Sequence, residues 1–221
     1  MSIRWLRILS ALSGIAGTIM IGLSFAINPG PPDNATAAQL SAFGREWFDS
    51  ILWGAWLQAV GPALIILFAL AIVFLADAMT RLSGWMTMFG ASVLMTVSLI
   101  EVTFYIGALE SESGLVSLGL IHAVQHLYFV VAAPALFLPL GIVILGSTVL
   151  PRVFGYFALA LGAAFVALGV AFVLTLTLPG WVLAFASIEA IWWLAAAVTL
   201  IIRTVTGPSR SGVLEPAHEG G

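Results

Sequence analysis

Four side chains able to carry a proton or hold a metal sit well inside stretches apolar enough to cross a bilayer: Glu101, His122, His126 and Glu189. An ionisable group in hydrocarbon is costly unless paired or wetted, so each marks a functional site by default. His122 and His126 are four apart, which puts both imidazoles on one face of a helix. Counting 1.5 Å of rise per residue from the outer ends of the spans, Glu101 and Glu189 lie about 12 Å deep, His122 about 10 Å and His126 about 16 Å. Gln58 reaches about 10 Å by the same count. These groups therefore share a layer in the outer half of a bundle, and Tyr105, one turn from Glu101, joins them as a candidate ligand contact.

Three chemistries fit a layer of two carboxyls and two imidazoles. Proton-coupled transport is one, because histidine titrates near neutral pH. A metal site is another: His122 and His126 form a two-toothed unit that Glu101 and Glu189 could complete around zinc, iron or manganese. Between the histidines stand Ala123, Val124 and Gln125, so the built-in general base of H-E-x-x-H is missing. Intramembrane acid–base catalysis on a lipid or isoprenoid is the third. A structural role for the same residues, locking helices in an accessory subunit, is the plain alternative. The expected function is a small transport or binding protein for protons, a cation or a small polar ligand. An intramembrane enzyme comes second and an accessory subunit third.

Composition narrows the cofactors. The chain has no cysteine and no lysine, so iron–sulfur centres, thiolate chemistry, retinal and pyridoxal phosphate are not expected. Haem is not expected either. Two histidines one turn apart on one helix cannot be the two axial ligands of one haem, and His218 lies in the polar tail. A net charge of −3 gives no reason to expect nucleic acid.

The elements that must position these residues follow from hydropathy. The 221 residues are 62% hydrophobic and 8% charged, against roughly 25% charged in a soluble domain. Six spans of about 20 residues or more are expected, at 8–27, 51–76, 85–109, 115–144, 153–176 and 181–202. The fold class is therefore an all-α integral membrane protein, a six-helix bundle occupying residues 1–206, followed by a disordered tail at 207–221. Arg4, Arg7, Arg81, Arg152, Arg203 and Arg210 fall on one side of this arrangement and Arg45 on the other. The positive-inside rule then puts both termini in the cytoplasm. The lysine-free, Ala/Leu/Gly/Val-rich composition suggests a bacterial plasma membrane. The bilayer is the expected partner, with a small-molecule or lipid ligand and an oligomer left open.

Local signals refine the picture. Residues 1–26 could be a cleaved signal peptide, but their apolar run is too long for one. Ser10, Gly14, Thr18 and Gly22 form a ladder of small residues expected to pack on another helix. The first outer loop opens with Asn28-Pro29-Gly30-Pro31-Pro32. Asp33 or Asn34 is then expected to cap a short interfacial helix running through Asp49, with Leu40, Phe43, Trp47 and Phe48 on one face. Inward stripes are read as Gly90, Ser98, Glu101 and Tyr105; Gly119, His122, His126 and Ala133; and Ala186, Glu189, Trp193 and Ala196. Pro62 and Pro134 are placed to bend helices near the site and free carbonyls. Gly155, Gly162 and Gly169, every seven residues, read as close helix packing.

Overall fold

A computed structural model describes residues 2–28, 30, 36–110, 114–175 and 182–206. The Asp33 and Asn34 cap, Trp181, His218 and the tail at 207–221 lie outside the described residues. Everything regular among those described is helical: α1 (Ile3–Ile27), α2 (Ala37–Glu46), α3 (Phe48–Leu75), α4 (Leu82–Glu110), α5 (Gly114–Leu127), a π turn (Tyr128–Ala132), α6 (Ala133–Leu145), α7 (Arg152–Thr175) and α8 (Val182–Thr206). The stretch from α5 through the π turn to α6 is one continuous rod, so six helices are long and apolar enough to cross a membrane. Their outer faces stay apolar: Phe89 is 67% exposed and Ile191 65%. Helices that are hydrophobic all round suit a lipid environment.

Apolar burial cannot drive association where the surroundings are as apolar as the interface, so packing of small residues must. α1 runs antiparallel to α3, with Gly14 against Phe68, Gly17 against Gly61 and Asn28 against Gly54. A Cβ on Gly17 would stand 2.5 Å from the Gly61 carbonyl oxygen and 2.9 Å from the Ile65 nitrogen. The small-residue face of α1 thus comprises Ser10, Ala11, Gly14, Gly17 and Thr18, all buried. Gly22, expected on this face, instead has open space where its Cβ would be. The heptad glycines of α7 pack as expected: Gly155 meets Leu145 and Gly141, Gly162 meets Leu138, and Gly169 meets Val130.

α1 also packs on α8, α3 on α4, α4 on both α5 and α6, and α6 on α7. The centre is aromatic. Phe68, Phe137, Phe165 and Trp193 are fully buried, with ring centroids 6.1 Å apart for Phe68 and Trp193, 5.3 Å for Phe137 and Trp193, and 6.0 Å for Phe137 and Phe165. Below this plug Ile72, Leu140, Ile144 and Leu200 continue the apolar core to the end where Arg81, Arg152 and Arg203 lie. At that end the α3–α4 turn is a Schellman motif: Ala78 N–H donates to the Val73 carbonyl and Asp77 N–H to that of Phe74. Asp77 occupies its left-handed position at φ 50°.

At the opposite end α2 starts on a capping box. Gln39 N–H donates to Thr36 Oγ1 at 3.3 Å, and Thr36 N–H donates to Gln39 Oε1 at 2.8 Å. Thr36 is therefore the cap, in place of the expected Asp33 or Asn34, because only its spacing to Gln39 allows both bonds. The helix stops at Glu46 rather than Asp49. Trp47, at φ −106° and ψ 19°, is the joint between α2 and α3. Leu40 is buried and Phe43 half-buried, whereas Trp47 and Phe48 are exposed.

Candidate functional site

A cavity of about 400 Å³ lies in the half of the bundle away from Arg81, Arg152 and Arg203. α1, α3, α4 and α8 each meet it along one stripe at helical spacing. α1 supplies Thr18, Ile21 and Phe25; α3 supplies Gln58, Pro62 and Ile65; α4 supplies Leu94, Ser98 and Glu101. Gln125 comes from α5, Tyr128 and Phe129 from the π turn, and Ala186, Glu189, Ala190 and Trp193 from α8. The walls are mostly apolar, and the lining contains two carboxyls and no basic side chain. Phe129 and Trp193 belong to the aromatic plug, which forms the floor. Phe25, itself 54% exposed, is where the wall meets the surroundings.

Both carboxyls are held by hydrogen-bond donors. Gln125 Nε2 donates to Glu101 Oε1 at 3.1 Å, and Gln58 approaches the same carboxyl from α3. The Tyr128 hydroxyl donates to Glu189 Oε2, and Trp193 Nε1 donates to Glu189 Oε1 at 3.3 Å. Tyr128 lines the same cavity as both carboxyls. Ser98, one turn before Glu101 and only 7% exposed, behaves differently. Buried hydroxyls elsewhere bond a carbonyl of the preceding turn, as Thr18 does to Gly14 and Thr87 to Ser83, each at 2.8 Å. Among the described residues the Ser98 hydroxyl has no hydrogen-bond partner.

Prolines shape the cavity. Pro62 has no N–H to give to the carbonyl of Gln58 four residues earlier, so that acceptor is released at the wall. Pro134 likewise cannot bond Val130, and its ring crowds that carbonyl. The backbone relieves the conflict with the π turn, in which Ala133 N–H donates to Tyr128 five residues back. π turns inserted in α-helices are frequent at functional sites. This one brings Tyr128 and Phe129 to the cavity together with Gln125.

Of the expected site residues, Glu101, Glu189 and Gln58 face the cavity. Tyr105 is half-buried beside Glu101 and is absent from the lining. The histidines do not line it: His122 is exposed, and His126 is half-buried with Nδ1 2.6 Å from its own helix's His122 carbonyl. Among the described residues no three His, Asp or Glu side chains are grouped so as to hold a metal ion. The expected zinc, iron or manganese shell of His122, His126, Glu101 and Glu189 is thus not assembled. The reason is rotational. α5 turns Ile121, Val124 and Gln125 inward, while Gly119 and His122 face out. Gln125, Tyr128 and the pairing role of Trp193 were missed because a helix apolar on every side gives no moment to orient it. Comparison with protein-family models, curated proteins and solved structures finds no match.

Proposed function

We propose that this is a multi-pass plasma-membrane protein that holds a small polar or cationic molecule in its acidic cavity, as a binding or transport protein. The observation that carries the reading is Glu101 and Glu189 facing one cavity of about 400 Å³ with no basic lining residue. Two carboxyls from different helices are thus aligned on the same space. The arginine distribution supports an orientation with both termini in the cytoplasm and the cavity in the outer leaflet. α2 then lies at the outer interface, with Trp47 and Phe48 at headgroup depth. The Phe68–Phe137–Phe165–Trp193 plug separates the cavity from the cytoplasmic end, so the ligand enters from the outer half, and release inward would require the plug to part.

The test is native mass spectrometry of the full chain released from membranes in a mild detergent. Wild type is expected to carry a small bound molecule that Ala190→Phe, which fills the cavity from α8, abolishes while the protein stays folded. If wild type carries none, and Ala190→Phe simply raises the thermal midpoint, the cavity is a packing defect and the reading fails.

A further inference from the structure

The cavity's chemistry is more selective than a general binding site requires. Its volume, about 400 Å³, far exceeds that of a bare ion, since even a water molecule in the liquid takes about 30 Å³. An inorganic cation would leave most of the space empty and apolar, so the occupant has an organic body. The walls offered to that body are Ile21, Ile65, Leu94 and the rings of Phe25 and Phe129. An anion meets two carboxyls and no cation among the lining residues. A neutral apolar molecule would desolvate Glu101 and Glu189 and return nothing to them.

The polar inventory points the same way. Trp193 Nε1 and the Tyr128 hydroxyl are both spent on Glu189. Gln125 Nε2 donates to Glu101. The Ser98 hydroxyl, nine-tenths buried and free of any partner among the described residues, lies on the cavity one turn from Glu101. Carboxylate and hydroxyl oxygens accept from a donor placed between them. Tyr128 and Trp193 border the same space. We propose that the ligand is a lipophilic amine bound as its ammonium ion. Its N–H groups donate to Glu101 and Ser98, its single charge is balanced by one carboxylate, and its apolar body fills the space toward α1. This rests on the ligand-binding reading above and specifies the class of ligand.

Three probes of one shape separate the possibilities: 1-adamantylamine, 1-adamantanol and 1-adamantanecarboxylate. Each is titrated calorimetrically into the full-length protein in lipid nanodiscs, with empty nanodiscs as the partition control. The amine is expected to bind about tenfold more tightly than the alcohol, the difference between a charge-assisted and a neutral hydrogen bond, and the carboxylate no more than empty discs do. Glu101→Gln removes the preference for the amine. Ser98→Ala weakens amine binding about tenfold and leaves the thermal midpoint unchanged, because that hydroxyl holds no part of the fold. Alcohol or carboxylate binding as tight as the amine's overturns the amine assignment while keeping the cavity as a ligand site. Unaltered amine affinity in Ser98→Ala also overturns it. No binding of any probe, together with no bound molecule in wild type, removes both readings.

Discussion

Tyr128 on the π turn donates its hydroxyl to Glu189 on α8, across the space that separates the central rod from the last helix. α8 packs mainly on α1, and side-chain hydrogen bonds tie its other flank. Trp192 Nε1 donates to the Phe154 carbonyl of α7 at 3.1 Å, and Arg203 Nη1 to the Val149 carbonyl at 3.4 Å. The Tyr128–Glu189 bond lies farther from the Arg203 end than either of these, and both side chains line the cavity. One contact therefore both closes the bundle and positions an acid.

Tyr128→Phe tests that double role. The substitution keeps the ring contacts with Phe129 and Phe165 and removes only the hydroxyl. A double-mutant cycle with Glu189→Leu, which leaves no acceptor, read by reversible unfolding in detergent, is expected to give a coupling of about 0.6 kcal/mol and at most about 1.7 kcal/mol, the mean and maximum for hydrogen bonds between membrane helices. A coupling indistinguishable from zero would mean that the two side chains meet without stabilising one another.

The α1–α3 crossing makes a sharper contrast. Gly17→Ala places a methyl against the Gly61 carbonyl and the Ile65 nitrogen, backbone atoms that cannot move aside, and should cost about 1–3 kcal/mol. Gly22→Ala on the same helix meets open space and should be neutral or slightly stabilising, as alanine is the better helix former. Thermal midpoints of the two variants side by side decide it; equal losses would place α1 differently against α3.

Hydropathy made the six long helices legible, because a run of apolar residues reports length whatever its neighbours are. Glu101 and Glu189 were legible as lining residues for a related reason: an acid inside a long apolar run stands out, and both face the cavity. Helix rotation was not legible. His122 and His126 look like a site on a helical wheel, yet α5 turns Gln125 inward and leaves His122 exposed, since apolar residues on every side leave the wheel without a preferred face. Pro134 signalled a disturbance, but not that it would take the form of a π turn delivering Tyr128. Gly22 shows the same limit, as four-residue spacing placed it on the packed face and the crossing at Gly17 took its place.

His122→Ala should therefore leave the cavity's ligand untouched. The side chain is exposed and lies off the lining, so probe affinity should change less than about twofold, well under the effect of losing one hydrogen bond. Calorimetry of the variant in nanodiscs against wild type checks it, and a tenfold loss would bring the imidazole back into the site.

The α3–α4 turn carries a strain that one substitution should relieve. Asp77 holds φ at 50°, where a side chain other than glycine is disfavoured. Asp77→Gly should raise stability by up to about 1 kcal/mol, and Asp77→Val, branched at Cβ, should lower it by about 1–2 kcal/mol. Chemical unfolding of both variants in detergent reads the sign. A loss on Asp77→Gly would show that the aspartate side chain holds the turn in a way that outweighs its backbone cost.

Pro134→Ala asks what the π turn is for. Alanine restores an N–H for the Val130 carbonyl and removes the ring that crowds it, so an unbroken α-helix becomes available from α5 to α6. Relaxing the turn would rotate Tyr128 by about 100°, the angle of one residue in a 3.6-residue turn, away from Glu189 and off the wall. Stability should hold or rise, since a proline inside a helix costs about 3 kcal/mol, whereas 1-adamantylamine affinity should fall about tenfold with the loss of the hydroxyl that holds Glu189. Higher stability with weaker binding would identify the π turn as a feature kept for the cavity. Lower stability with unchanged binding would mean that the turn serves the packing of α6 on α7 instead, and that Tyr128 reaches Glu189 without it.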